Sequence, residues 1–439
     1  MVLEDAKRML SKYILCDSCL GRQFGGLVKG VTNRERGRAI KLVLALEGHS
    51  EFLKSKGDEL LKILITNGLF QPAANVLGIQ IEGKERECAL CGGIMDRIGE
   101  YAEAVAKALE GLDYDNFLIG VRVAGEVAER EDRIRAEFGI EFGESMRMEC
   151  SREIGKEVSK ITGKVVEFKK PDVVVLVEVP GPKILVRPMP LYISGRYRKL
   201  VRGIPQSKWD CVHCRGRGCE VCHGTGKIYP TSVEEMVVGP VLEKTGGVSA
   251  KFHGAGREDV DAIVTGNGRP FVVEIKEPKK RRVDLKELEG EINRRAEGKV
   301  EVLDLAFSDK KRVRSLKEKA KVAEKIYRAL VEVEREVVDK DLEKLEKSFN
   351  GCLINQYTPK RVLHRRADKL RVKKVYEMKA KKVDSNRIEL IVRCQGGLYV
   401  KELISGDDGR TKPSVSEVLG AGARCVELDV ISVSEVGAQ

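Results

Sequence analysis

Eight of the 12 cysteines in this 439-residue chain fall into four Cys-x-x-Cys pairs, and these constrain the fold most. Cys16/Cys19 and Cys88/Cys91 lie about 70 residues apart, so a shared metal would tie two remote segments together. Each pair can clamp one edge of a tetrahedral zinc, and four thiolates leave no open position, so the site would be structural. Gly21, Gly92 and Gly93 trail these pairs and permit the tight knuckle turns they need. Cys211, Cys214, Cys219 and Cys222 sit in one glycine-rich insert and can hold a second zinc; His213 and His223 are alternate ligands by type but read rather as exposed loop residues. Cys150, Cys352, Cys394 and Cys425 read as small apolar residues.

Cysteines used for metal rather than disulfides fit a reducing compartment. Residues 1–11 read as a charged helix rather than a secretory leader. The most apolar run, 173–179, contains Glu178 and is too short to cross a bilayer. A cytoplasmic, monomeric protein without membrane association is expected. Lys+Arg number 80 against 68 Asp+Glu, a net charge of +12, which favours a polyanionic partner. Aromatic residues are only 5%, which argues against a surface of many stacking platforms.

Helical periodicity runs through residues 33–46, 51–65, 100–109 and 145–161. Strands are expected at 117–123, 165–168 and 173–179, and the order helix, strand, turn, strand resembles a THUMP domain, a small RNA-binding α/β module. Residues 239–256 read as a glycine-rich loop. Beyond them, strands at 262–264, 271–275, 300–306, 325–333, 372–379, 388–393 and 425–433, with few helices between, predict an α+β fold with a mixed or antiparallel sheet.

That loop delivers His253-Gly254-Ala255-Gly256-Arg257-Glu258-Asp259-Val260-Asp261 to the start of a strand. An aspartate in a turn ordinarily caps or bonds locally. Here Arg257 is expected to hold Asp259 charged and aimed, since a neighbouring opposite charge favours the carboxylate. An oriented carboxylate can serve as nucleophile or base. Asp261 is the second candidate for that role. No P-loop and no strand-associated GxGxxG is present, so no nucleotide cofactor is expected.

Lys325-Ile-Tyr327-Arg-Ala resembles the KxYxA strand of pseudouridine synthases, and Arg393-Cys-Gln-Gly-Gly-Leu-Tyr-Val400-Lys401-Glu-Leu resembles a later motif of that superfamily. The resemblance implies that Tyr327 packs against the target uridine, Val400 packs against the tyrosine, and Lys401 pairs with the aspartate. Together with the first two CxxC pairs, the THUMP-like middle and residues 194–197, 205–206, 256–261, 266–271, 358–366 and 409–414, these motifs resemble the tRNA pseudouridine synthase Pus-ten family of archaea and eukaryotes. The resemblance covers nearly the whole chain, and the cysteine insert is like the archaeal branch. Ala262-Ile263-Val264 departs from the family's more usual arginine-bearing phrase.

The resemblance implies isomerisation of uridines 54 and 55 in the tRNA TΨC arm by one aspartate, with structural zinc and no organic cofactor. Whether the aspartate adds covalently to the sugar or removes a proton stays open. The implied architecture is a zinc-bound helical and THUMP-like accessory domain over 1–185, then a pseudouridine synthase domain over 186–439 carrying the insert 209–227. Basic runs are candidate RNA contacts: Arg361, His364, Arg365 and Arg366, continuing to Lys369 and Arg371; Lys279, Lys280, Arg281 and Arg282; Arg196 and Tyr197, continuing to Arg198 and Lys199; and Arg410 with Lys412. The rival readings are a non-catalytic tRNA-binding protein or RNA chaperone, another THUMP enzyme such as a thiolase or methyltransferase, and a co-chaperone zinc module.

Overall fold

The computed structural model describes residues 1–79, 87–181, 183–320 and 323–434, except the side chain of Arg365. Two compact units divide after Met189. A boundary after residue 185 would cut a strand that pairs with its neighbour over its whole length, which is why the division falls later.

The first unit opens with helices Val2–Lys12, Asp17–Arg22, Asn33–Ser55, Glu59–Thr66 and Gln71–Leu77. The second and third cross closely because both carry glycine at the contact. A Cβ on Gly21 would fall 1.9 Å from the Asn33 carbonyl oxygen, and one on Gly37 would fall 1.9 Å from that of Asp17. Gly21 therefore serves helix packing, not a knuckle turn; Gly92 and Gly93, at φ 52° and 76°, do make the turn. The α/β part follows: strands β1 (Asn116–Val123), β2 (Val165–Val166), β3 (Val173–Val179) and β4 (Lys183–Pro188), with helices Ile98–Ala108, Gly125–Phe138 and Met146–Thr162. The sheet order is β2-β1-β3-β4, parallel except for β3–β4. Arg22, fully buried, joins the helical and α/β parts by pairing with Glu131 and Glu149 at 2.9 Å each.

The second unit is one ten-stranded sheet. Its strands are β5 (Leu191–Lys199), β6 (Ser249–Gly254), β7 (Ile263–Lys276), β8 (Val300–Ser308), β9 (Glu324–Val333), β10 (Leu353–Gln356), β11 (Arg371–Lys382), β12 (Arg387–Gln395), β13 (Thr411–Lys412) and β14 (Ala423–Val433). The order is β13-β10-β11-β12-β9-β14-β7-β5-β8, with β6 added on β7. Every pairing is antiparallel except β14–β7, so the sheet is mixed.

Two apolar cores lie along it. One gathers β5, β7 and β8 with helices Val233–Thr245 and Leu285–Arg295. The other gathers β9, β11 and β12 with helices Asp339–Phe349, Val400–Ser405 and Val415–Leu419. Helices are thus more numerous than the strand-dominated expectation, and most of the stretch read as a loop, 239–256, belongs to Val233–Thr245 and β6. Gly239 and Pro240 obscure a helix that its buried Val233, Val237 and Val241 hold in place. No described helix is long and apolar enough to cross a membrane.

Candidate active site

The parallel seam between β7 and β14 sits beside the aspartate turn. Val264 faces Val430 across the seam, and Val430 faces Tyr327 on β9, so three strands present one apolar row. The turn before β7 carries Asp259 to the end of that row.

A buried scaffold fixes this turn. Lys199 is fully buried, and its ammonium donates to the carbonyls of Ile204 (2.9 Å), Asp259 (3.1 Å) and Val260 (3.0 Å). Burial lowers the pKa of that lysine. Arg269 pairs with Glu258 at 2.8 Å, both side chains fully buried, and donates to the Ala255 carbonyl at 2.9 Å. The Tyr197 hydroxyl donates to Glu258 at 2.8 Å, and Gln206 bridges Tyr197 (2.7 Å) and the Gly256 carbonyl (3.0 Å). Buried polar groups without such partners would be strongly destabilising.

Asp259, Arg257, Tyr327, Val400 and Lys401 all line one cavity of about 710 Å³. Asp259 meets Arg361 Nη1 at 3.4 Å through one carboxylate oxygen and Lys401 Nζ at 3.5 Å through the other. Both separations are long for hydrogen bonds, leaving lone pairs for a substrate. Lys401 is closer to Asp261, at 2.8 Å, but Asp261 does not line the cavity. Burial opposes ionisation of Asp261, yet the Lys401 hydrogen bonds outweigh it and lower its pKa. Burial raises the Tyr327 phenol well above its ordinary value, so the ring stays neutral. Val400 is buried at the start of helix Val400–Ser405.

Arg257 does not pair with Asp259. Its guanidinium lies 4.9 Å over the indole of Trp209, at the foot of the cysteine insert. Arg361 takes that place instead, braced at 2.6 Å by the buried Glu402. The expectation for Arg361 is an RNA-gripping surface; its neighbourhood of basic residues conceals its place, since nothing local marks a partner 102 residues away in sequence.

Three other expected RNA contacts, Tyr197, Arg196 and Arg410, are engaged within the protein. Tyr197 is buried in the scaffold described above. Arg196 donates to the Gly268 (2.9 Å) and Val433 (2.8 Å) carbonyls, because β5 lies between β7 and β8 rather than at an open edge. Arg410 is held by the Thr358 carbonyl at 3.0 Å and by Asp368 at 2.5 Å. Arg366 lines the cavity and donates to the Tyr399 hydroxyl at 2.7 Å. His364 and Lys412 are exposed, and the Arg365 side chain lies outside the described residues. Lys279, Lys280, Arg281 and Arg282 follow β7 at its end remote from Asp259 and do not line the cavity.

Both cysteine groups assemble. The four Sγ atoms of Cys16, Cys19, Cys88 and Cys91 lie within 4.8 Å of one another, as do those of Cys211, Cys214, Cys219 and Cys222. The separations of 3.9 Å for Cys16–Cys91 and 3.7–3.9 Å within the insert match the edge of about 3.8 Å that a tetrahedron of 2.3 Å metal–sulfur bonds requires. Neither His213 nor His223 joins a group. The residues fit a tetrahedral thiolate-bound ion, which would brace each segment and take no part in chemistry at the cavity.

Two family models match this chain: the archaeal Pus10 THUMP domain over residues 101–178 and the Pus10 C-terminal region over 192–434. The protein is 46% identical over 438 residues to the tRNA pseudouridine synthase Pus10 of Methanocaldococcus jannaschii, covering 97% of this chain and 93% of that one. It is 40% identical to the Pus10 of Pyrococcus furiosus, covering 99% and 98%. Among solved structures, a Cbf5–Nop10–Gar1 complex is similar at 19% identity over 46% of this chain and 45% of that one, with a TM-score of 0.29. A pseudouridylate synthase is similar at 15% identity over 58% and 70%, with a TM-score of 0.22. The chain belongs to the Pus10 family of tRNA pseudouridine synthases.

Proposed function

We propose that the protein isomerises uridine to pseudouridine in tRNA, at uridines 54 and 55 of the TΨC arm, with Asp259 as the carboxylate that acts on the nucleotide. The N1–C1′ bond breaks, the uracil turns, and a C5–C1′ bond forms. The C5 proton leaves and N1 gains one, so atoms balance without a co-reactant. A uridine in a folded arm must be extruded to reach a recessed carboxylate. Its base would rest on Tyr327 and the Val264–Val430 row, with the sugar at Asp259. Arg361 and Lys401, 3.4 and 3.5 Å from its two oxygens, would hold that carboxylate in position beside the sugar.

The supporting observation is that Asp259, Tyr327, Arg361 and Lys401, drawn from four separate stretches of chain, meet at one cavity. The exposed side chains Lys279, Lys280, Arg282, His364 and Lys412, with Arg281 and Arg366, are the remaining candidates for gripping the tRNA. Each group of four cysteines would hold one zinc.

Carbodiimide primer extension on a tRNA transcript incubated with the protein tests the activity. Stops at positions 54 and 55 are expected, and an unmodified transcript would contradict it. Elemental analysis should find two zinc ions per chain, and one or none would contradict the paired assignment.

A further inference from the structure

The cavity holds more positive charge than its carboxylates match. Arg361 and Lys401 face Asp259, and Arg269 faces Glu258. Lys325, Lys373, Arg366 and Arg371 line the same cavity and pair with no acid among the described residues. Lys325 is only 6% exposed, and neither its ammonium nor that of Lys373 donates a hydrogen bond to any described residue. Isolated buried charge is costly unless something pairs with it.

Sheet register brings these groups together. Cys394 on β12 sits opposite both Lys325 on β9 and Val375 on β11. Directly paired residues share a face, and alternate residues of a strand return to it. Lys325 and Tyr327 on β9 therefore share a face with Lys373 and Arg371 on β11. Two glycine turns close over the ammonium groups. A Cβ on Gly256 would fall 3.1 Å from Lys325 Nζ, and one on Gly397 would fall 3.4 Å from Lys373 Nζ.

From this arrangement we infer that Lys325 and Lys373, backed by Arg371, form a subsite for a backbone phosphodiester flanking the extruded nucleotide. The inference rests on the function proposed above. A nucleotide with its base on Tyr327 and its sugar at Asp259 brings its two flanking phosphates into this cavity, and a phosphodiester supplies the missing negative charge. The groups around Lys325 agree: burial, then Arg269 and Lys373, lower its pKa to about 7, outweighing the opposing pull of Glu258 and Cys394. An arriving anion would reverse that and draw in a proton.

The test is a thermodynamic cycle on the full chain, using tRNAs in which one phosphate beside the target uridine is replaced by an uncharged methylphosphonate. One of the two replacements should weaken wild-type binding about tenfold, the scale of a charge-assisted hydrogen bond. The same replacement should cost K373A less than about twofold, and K373R should restore sensitivity. Independent losses at both phosphates would overturn the subsite. A readout needing no variant is calorimetry in buffers of different ionisation enthalpy. Wild type should take up part of a proton on binding native tRNA near neutral pH, and less with the sensitive methylphosphonate; equal uptake would also overturn it. Pseudouridine formed without any coupling defeats the subsite alone, whereas a transcript neither bound nor modified defeats the function.

Discussion

The two sides of the cavity follow opposite electrostatic rules. On one, Asp259 is matched by Arg361 and Lys401, and Arg361 is itself matched by Glu402. On the other, Lys325 and Lys373 have no acidic partner among the described residues and stand next to further cations. A balanced cluster holds one group in place for chemistry, because its charges are satisfied before substrate arrives. An unbalanced cluster waits for a charge from outside. The first should govern turnover and the second affinity.

Four substitutions can break or sharpen that division. Asp259→Asn should have the largest effect: turnover on a tRNA transcript falling on the order of 1000-fold or more, with tRNA affinity within about threefold of wild type. Arg361→Met should lower turnover about 100-fold. It also orphans the buried Glu402, so thermal or denaturant unfolding should report a loss of about 2 kcal/mol. An affinity defect without a turnover defect would move Arg361 to the binding side.

Lys325→Met should act on affinity and depend on pH. The folded-state pKa is lowered to about 7, so the charge is present below that value and lost as pH rises through it. Wild-type affinity should therefore fall from about pH 6 to about pH 8.5, while the variant stays flat and binds about tenfold more weakly at the acid end. Parallel titrations of the two proteins would remove this lysine from the binding side. Asp261→Asn should be mildest, lowering turnover about threefold, because Asp261 shares Lys401 from outside the cavity.

The sequence reveals the matched side better than the unmatched one, and it reveals residues better than partners. Asp259, Tyr327, Val400 and Lys401 are legible because each sits in a short motif. Arg257 is assigned the wrong partner because chain proximity does not say which way a side chain leaves a turn; the Trp209 ring captures it. Arg361 and Glu402 meet Asp259 only through the tertiary fold. The Ser194–Lys199 stretch looks like a basic surface, but β5 is flanked by strands on both sides, so Tyr197 and Lys199 point into the scaffold beneath the turn. The Cys16–Cys91 group is readable across a gap of about 70 residues because thiolate spacing carries its own geometry.

The proposed division of labour depends on one carboxylate at the matched side. Asp259→Asn and Asp261→Asn should be compared by primer extension on the same tRNA transcript, with binding measured in parallel. Loss of pseudouridine only in the Asp259 variant, at near-wild-type affinity, is the predicted result. A fully active Asp259→Asn protein, or one inactive only because it no longer binds tRNA, would contradict it.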